Sequence, residues 1–252
     1  MKLLMLLILV AIIVAIFVHQ EAPRAYAVVG PDTSLSVSMN CANIEQVISA
    51  LMKRQGMREG STIAFFKIGD GPNDPEPKRL LELIVPGESE NFYNRDQARK
   101  GYEKKVKELT AAIRQSCEAI APTKFSPILR MVTRSIEHLR TLCPKDGPCY
   151  ATFKTDLVDD VDAQLAPVIA KAAKDPSIAL PPELSGSIDN AGIQVAFCGA
   201  AEVRARKAGS ATPPSPETLK RLWTGIFRHP ELIFFEPFCG NVSDGLSQQS
   251  RR

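Results

Sequence analysis

Short apolar segments alternate with amphipathic helical patterns along most of this chain, and this alternation constrains the possible folds more than any other feature. Segments rich in β-branched and aromatic residues, such as residues 61–68 and 193–198, are separated by stretches with helical spacing of apolar residues. Strands that alternate with helices form a mainly parallel sheet covered on both faces. The sequence therefore predicts an α/β fold with a doubly wound, mainly parallel sheet.

Six strands and five helices are expected. The second and third strands form a hairpin, which makes the third an antiparallel edge strand. Ser126 and Ser215 are predicted N-caps, each followed by a proline at the first helical position. The predicted strands are residues 28–31, 61–68, 80–85, 150–154, 193–198 and 232–235.

The predicted helices carry buried stripes at Ile44, Val47, Ile48 and Leu51; Tyr102, Val106, Leu109 and Ile113; Ile128, Val132, Ile136 and Leu139; Val161, Leu165, Val168 and Ile169; and Leu219, Leu222, Trp223 and Ile226. Lys100, Lys104, Lys105 and Lys107 are interpreted as a solvated face.

The N-terminus carries an export signal. Residues 3–18 form an uninterrupted apolar run of 16 residues after Lys2, between the length of a signal-peptide core and the roughly 20 residues of a membrane span. Residues 1–22 are thus a signal peptide or a hydrophobic anchor helix. Cleavage after Ala27 would truncate the first strand, which favours an anchor in the inner membrane. Either outcome predicts an extracytoplasmic, periplasmic domain at residues 25–240, with a disordered tail at 241–252.

Charge and cysteine content narrow the possible partners and the compartment. The formal charge is only +3, and no basic run interleaved with aromatic residues indicates nucleic-acid binding. Six cysteines, an even number, follow the export segment, which favours disulfides. Cys143 and Cys149 flank a short loop, and Cys198 and Cys239 follow strands expected to be neighbours. The predicted pairs are therefore Cys143–Cys149, Cys198–Cys239 and, by remainder, Cys41–Cys117.

Oxygen ligands for a cation cluster where the first strand ends. Asp32, Ser34 and Ser36 form an Asp-x-Ser-x-Ser loop, and such hard oxygens suit Mg²⁺. The same residue types also occur in ordinary turns and helix caps. A second carboxylate, Asp156, ends the fourth predicted strand. Ligands of parallel sheets bind at the carboxyl ends of strands where the strand order reverses. If these two strands are neighbours there, their carboxylates converge, and Ser126 or Thr123 could reach the same crevice.

This pattern resembles the von Willebrand factor type A domain. That family places Asp-x-Ser-x-Ser after the first strand, a Thr or Ser before a middle helix, and an Asp after the fourth strand. The resemblance covers about residues 25–238. It assigns a metal-ion-dependent adhesion site to Asp32, Ser34, Ser36, either Thr123 or Ser126, and Asp156. Pro31 and Leu35 depart from the family pattern, which has an apolar residue before the Asp and a Gly within the loop.

The resemblance implies a non-enzymatic binding module at the cell envelope. It would hold Mg²⁺, or Mn²⁺ or Ca²⁺, and engage an acidic group of a protein partner. The alternative is a metal-independent structural subunit of a membrane-associated complex. A hydrolase lacks support, because there is no Gly-x-Ser-x-Gly elbow or phosphate loop and His19, His138 and His229 lie in unsuitable places. The acidic run Asp156, Asp159, Asp160 and Asp162 lacks the Gly and Glu of an EF-hand and is interpreted as a solvated loop.

Overall fold

The structure is a computed structural model that describes residues 24–32, 41–52, 57, 60–67, 78–85, 95–119, 126–143, 147–199 and 212–236. The strands are β1 (Tyr26–Pro31), β2 (Thr62–Lys67), β3 (Lys78–Ile84), β4 (Cys149–Lys154), β5 (Ile193–Cys198) and β6 (Ile233–Glu236). The helices are α1 (Cys41–Met52), α2 (Arg95–Glu118), α3 (Ile128–Leu142), α4 (Leu165–Ala172) and α5 (Pro216–Ile226), and a 3₁₀ turn spans Pro230–Leu232.

The described strands form one sheet in the order β3-β2-β1-β4-β5-β6. All neighbouring pairs are parallel except β2 and β3, which are antiparallel. The chain winds outward from β1 in one direction and then from β4 in the other, so the order reverses between these two central strands. The predicted α/β class with a parallel sheet is confirmed, and the reversal point is where the sequence places the candidate site.

Helices cover the sheet on both faces, and each face has its own hydrophobic core. On one face, α1 and the end of α2 pack on β1 and β2 through residues such as Ile48, Leu51 and Ile113. On the other face, α3, α4 and α5 pack on β4 and β5, with Trp223 and Phe197 in ring contact. The predicted stripes of α1, α3 and α5 are all buried. In α2 only Ile113 of the predicted stripe is buried, and the four lysines are exposed, as expected.

Gly30 allows α3 to lie close to the centre of the sheet. A Cβ at this position would stand 2.9 Å from both Met131 Sδ and Phe153 Cδ1, closer than real contacts permit. A side chain on residue 30 would therefore push α3 away from β1. Because α3 begins near the carboxyl end of β1, this contact also fixes the distance between Asp32 and the start of the helix.

Two helix starts differ from each other in how they are capped. Ser215 caps α5 as predicted, because its hydroxyl accepts a hydrogen bond from the Thr218 amide at 3.2 Å. The prediction that Ser126 caps α3 is wrong. The N-cap residue is Pro127, the helix begins at Ile128, and no side chain of the cap residue bonds the helix. A distant carboxylate takes that role, as described below. Helix α4 begins at Leu165, so Val161 precedes it in the loop.

One predicted disulfide is confirmed. Cys143 and Cys149 are bonded across a Cα–Cα distance of 6.1 Å, which ties the end of α3 to the start of β4. Cys117 and Cys198 each take part in a disulfide as well. The predicted pairs Cys41–Cys117 and Cys198–Cys239 each include a side chain outside the described residues and stay predictions. Within the described ranges, no helix has the length and apolarity needed to cross a membrane. The predicted export segment and the predicted C-terminal tail lie outside them.

Candidate functional site

The ends of β1 and β4 lie side by side at the carboxyl edge of the sheet. Pro31 and Lys154 are partners in register, and the Asp32 amide donates to the Lys154 carbonyl at 2.8 Å. Thr155 directly follows β4, and its hydroxyl donates to Asp32 Oδ2 at 3.2 Å. Asp32, Thr155 and Asp156 are all buried. The predicted convergence of the two strand ends is therefore observed, and Thr155 makes the contact between them.

Thr155 also shapes the loop that carries Asp156. Its hydroxyl oxygen accepts from the Leu157 amide at 3.0 Å, so one hydroxyl uses both its donor and its acceptor capacity. Asp156 Oδ1 accepts from the Val158 amide at 3.0 Å, which closes a second tight turn. Between these turns Leu157 has a φ of 65°, in the left-handed region that leucine rarely adopts. Such a conformation costs about 1–3 kcal/mol and persists only where the surroundings impose it.

Trp223, on α5, supplies part of the constraint on the Leu157 backbone. Its Nε1 donates to the Leu157 carbonyl at 2.9 Å, and both side chains are fully buried. The aromatic ring also packs on Phe197 with a centroid distance of 5.4 Å. The backbone that carries Asp156 is thereby attached to α5 and to the core on that face of the sheet.

Asp159 holds the start of α3. Its Oδ2 accepts from the Leu129 amide at 2.7 Å, and its Oδ1 accepts from the amides of Val161 and Asp162 at 3.0 and 2.8 Å. It satisfies one of the amide donors that every helix start leaves unpaired. Burial raises the pKa of the Asp159 carboxyl, and the three amide donors oppose that increase. The solvated-loop interpretation is wrong for this residue, which is only 1% exposed.

The other two aspartates of the acidic run also make local backbone contacts. Asp160 Oδ1 accepts from the Ser126 amide at 2.7 Å, and Asp162 Oδ1 accepts from the amides of Gln164 and Leu165 at the start of α4. The loop 155–162 therefore contacts β1 through Thr155, the start of α3 through Asp159 and Asp160, and α4 through Asp162. It is the segment that joins the parts of the site.

A buried cation lies at the same edge. Lys154 is 1% exposed, and alternation along β4 puts it on the face of Tyr150, which packs with α1 and α2. Along the chain no Lys or Arg adjoins Asp32. In three dimensions Lys154 ends the neighbouring strand, one residue before Thr155. A buried basic residue therefore ends the strand beside Asp32, which the order of residues along the chain did not indicate.

The structure describes three of the six predicted metal ligands. Asp32, Ser126 and Asp156 lie at the carboxyl edge and are joined through the loop 155–162. Ser34, Ser36 and Thr123 lie outside the described residues. Among the described residues, no group of three or more His, Cys, Asp or Glu side chains could hold a metal ion. The choice between Thr123 and Ser126 stays open.

The donor set suits a hard divalent cation in chemical type. Asp32, Asp156 and Ser126 offer two carboxylates and a hydroxyl, and Ser34 and Ser36 are the hydroxyls that the sequence adds. Two buried carboxylates at one edge gain from a positive charge, which an ion could supply in addition to Lys154. The residues are therefore compatible with Mg²⁺ or Mn²⁺.

Sequence reasoning missed Lys154, Thr155 and Asp159. Lys154 ends the predicted strand β4, Thr155 follows it, and Asp159 lies in the loop after it. Their roles depend on the three-dimensional structure and not on their neighbours along the chain. Thr155 contacts Asp32 across 123 positions, and Asp159 contacts Leu129 across 30. One signal was available for Thr155, since it lies directly between the predicted strand β4 and the predicted ligand Asp156.

No protein family and no curated protein matches the chain at the sequence level. The fold is similar to the pilus adhesin SpaC from Lactobacillus rhamnosus GG, at 10% identity over 92% of this chain, with TM-scores of 0.49 in the open conformation and 0.50 in a second crystal form. A von Willebrand factor type A structure from Catenulispora acidiphila gives a TM-score of 0.45, at 10% identity over 90% of this chain and 42% of that one. Manganese-loaded TRAP from Plasmodium vivax gives 0.33, at 11% identity over 75% of this chain and 66% of that one.

The chain spans 30% of the SpaC adhesin chain. At this level of identity the similarity concerns the fold alone. The von Willebrand factor type A-like fold expected from the sequence is confirmed.

Proposed function

We propose that this type A-like domain is a non-enzymatic protein-binding module at the cell envelope. Its binding site is the carboxyl edge of the sheet at β1 and β4. A divalent cation, Mg²⁺ or Mn²⁺, is held there by Asp32, Ser34, Ser36, Asp156 and either Thr123 or Ser126. When bound, the ion supplies an open coordination position for an acidic group of the partner.

One observation carries this proposal: the Thr155 hydroxyl donates to Asp32 from the loop that also holds Asp156. Two carboxylates from separate strands are thereby attached to one edge, at the point where the strand order reverses. The residues of this chain then have distinct tasks. Asp32 and Asp156 provide charge, Thr155 fixes their separation, and Asp159 positions the start of α3 and with it Ser126.

The proposed location is outside the cytoplasm, with residues 1–22 as the membrane anchor. The Cys143–Cys149 disulfide supports an oxidising compartment, since such bonds are rare in cytosolic proteins. The fold neighbour SpaC is a pilus adhesin, which is in keeping with a surface role. Because residues 1–22 lead into the amino end of β1, the anchor would hold the amino edge of the sheet toward the membrane and leave the carboxyl edge facing away from it.

A metal-independent structural subunit is the second candidate, and Lys154 is the observation that favours it. Lys154 is buried at the end of the strand beside β1, and in its charged form it would supply positive charge to this edge without any ion. In that case the same edge would contact its partner through shape and hydrogen bonds, and chelators would have no effect.

The experiment compares wild-type protein with Asp32→Asn. Asn is preferred to Ala because Asp32 is buried and its Oδ2 accepts from Thr155, so Ala would also remove a hydrogen-bond acceptor. Calorimetry and thermal melts with Mg²⁺ and Mn²⁺ should show saturable binding and stabilisation in the wild type and neither in Asp32→Asn. The control is Asp96→Asn, which removes an exposed carboxylate on α2.

Pull-down from detergent-solubilised envelopes then tests the partner. Binding that is lost with chelator and in Asp32→Asn supports the metal-dependent module. If wild-type protein shows no metal binding and its captured partner resists chelation, the metal-independent subunit replaces it.

A further inference from the structure

A second charged site lies at the amino edge of the sheet, at the opposite end from Asp32. Arg140 near the end of α3 and Arg228 after α5 approach the same oxygen of Asp189, which precedes β5. Their nitrogens lie 3.5 and 3.6 Å from Asp189 Oδ2, and His229 Nε2 lies 3.7 Å from Oδ1. Three basic side chains from two regions of the chain therefore surround one carboxylate.

A cavity of about 270 Å³ opens between these groups. Arg140, Asp189 and Arg228 line it. The remaining lining comes from one face of α3 and from the segment before Asp189: Thr133, Ile136, Glu137, Ser187 and Ile188. Glu137 is bonded to Arg134 at 2.8 Å, so its charge is balanced outside the arginine pair. Two guanidinium groups against Asp189 leave the cavity with one excess positive charge.

The backbone that carries these groups is held in place by main-chain contacts. The Ile188 amide donates to the Ile226 carbonyl at 3.0 Å, and the Arg228 amide donates to the Ile188 carbonyl at 2.9 Å. The buried amide group of Asn190 bonds both the amide and the carbonyl of His229 at 3.0 Å. Such a rigid platform lowers the entropy cost of binding a ligand.

The arginines keep hydrogen-bonding capacity for a further acceptor. Charge-assisted N–H···O bonds are about 2.7–2.9 Å long, and the contacts to Asp189 are longer than this. Each guanidinium has five donors in a planar fork that matches a carboxylate. Both side chains are more than half exposed, at 52% and 60%, so they can turn toward an incoming anion. Asp189 itself is 25% exposed, and an Ala191 amide bond, aided by the nearby arginines, lowers the pKa of its carboxyl, so it is ionised at neutral pH.

We propose that this amino-edge site, formed by Arg140, Arg228 and Asp189, binds a carboxylate of a protein partner between its two arginines. The cavity has room for one side chain or a chain terminus. The domain would then contact proteins at both ends of its sheet. This second site uses no metal and does not depend on the function proposed for the carboxyl edge.

Small capped amino acids test the proposal on the full chain in neutral detergent. N-acetylglutamate α-amide presents a side-chain carboxylate, N-acetylglutamine presents a terminal one, and N-acetylglutamine α-amide is neutral. Inorganic phosphate is the fourth probe. Amide chemical shifts of residues 187–191 and 226–229 are followed by nuclear magnetic resonance. We expect saturable shifts with one or both carboxylates, at a Kd on the order of millimolar, and none with the neutral amide.

The variants are expected to change the affinity for carboxylates in opposite directions. Arg140→Gln with Arg228→Gln should weaken carboxylate binding by about tenfold or more. Asp189→Asn removes the competing carboxylate and should tighten binding several-fold. Arg99→Gln, which changes an arginine of α2 that is 68% exposed and lies outside the cavity, is the control and should bind as the wild type does. Far-ultraviolet circular dichroism checks that each variant is folded.

Four results would overturn the proposal: no shifts with either carboxylate, shifts of equal size with the neutral amide, loss of binding in Arg99→Gln as large as in the double variant, or weaker binding in a folded Asp189→Asn. Phosphate that binds while both carboxylates do not would also reject a carboxylate partner.

Discussion

The hydroxyl of Thr155 stands between two loops that belong to different strands. It donates to Asp32 and accepts from the Leu157 amide, so it sets both the separation of the carboxylates and the turn after them. Valine has nearly the same shape without these bonds. The site geometry therefore depends on a residue that is not itself among the predicted ligands.

Thr155→Val should lower the free energy of unfolding by about 1–3 kcal/mol, because it removes the hydrogen bond to the buried Asp32 and the one from the buried Leu157 amide. It should also weaken metal binding at the carboxyl edge. Denaturant titration and calorimetry measure the two effects. Thr155→Ser keeps the hydroxyl and should stay close to the wild type. Equal behaviour of the Val and Ser variants would contradict this role.

Asp159 gives the fold a defined pH dependence. Its pKa is raised by burial, so the protonated form is favoured more in the folded state than in the unfolded chain. The stability that it contributes is fully present below the ordinary value of 3.8 and is lost as pH rises through the folded-state pKa.

Thermal melts of the wild type and Asp159→Asn across acidic pH isolate this effect. The stability difference should shift in favour of the wild type as pH falls, because only the wild type gains a proton here. Asp175 and Asp189, whose pKa values are lowered, occur in both proteins and cancel in the difference. A difference that is constant with pH would contradict the assignment.

At the level of elements, the contact between α3 and β1 depends on Gly30. A methyl group there would meet Met131 and Phe153 at 2.9 Å, and overpacking of this kind typically costs about 1–3 kcal/mol. Gly30→Ala should therefore destabilise the protein in denaturant melts and move the start of α3 away from Asp32.

Gly101→Ala is the matched control for that substitution. Gly101 lies within α2, and its added methyl group would meet nothing within 4 Å. Alanine is a better helix former than glycine by up to about 1 kcal/mol, so this variant should be slightly more stable. If both variants change stability in the same direction, the close packing at Gly30 is not the cause.

Local patterns predicted the elements well and their long-range contacts poorly. Apolar periodicity located all five helices, and the Ser215 cap was readable because its partner Thr218 lies three positions away. The cap of α3 was not readable, since it comes from Asp159, 30 positions beyond Leu129. The acidic run looked solvated because charge along the sequence gives no sign of burial. Neighbouring strand ends at β1 and β4 followed from topology, but the burial of Lys154 at the end of β4 did not.

For the whole molecule, the position of β1 restricts where the N-terminus can be processed. Tyr26 and Ala27 pair with both β2 and β4, and the Ala25 amide donates to Ser61 Oγ at 3.1 Å. Removal of residues up to Ala27 would take away contacts on both sides of a central strand. Cleavage after Ala27 would therefore leave a shortened β1 of residues 28–31.

Mass spectrometry of the mature protein should accordingly find Met1, or a start before Ala25, and not a start at Val28. A chain that begins at Val28 should melt at a lower temperature than one that begins at Arg24. A mature envelope protein that starts at Val28 and is as stable as the longer chain would contradict this expectation.

The strand order also determines which strands are available for pairing when the chain emerges from its N-terminus during synthesis. Strand β1 comes first; β2 joins it on one side and β3 extends that side, and then β4, β5 and β6 add in turn on the other. Each strand after β1 finds a neighbour in the sheet that has already emerged. The side of β1 that pairs with β4 stays unpaired until β4 has emerged, more than a hundred residues later. During that interval an incomplete chain is most exposed to wrong strand pairing along this side of β1.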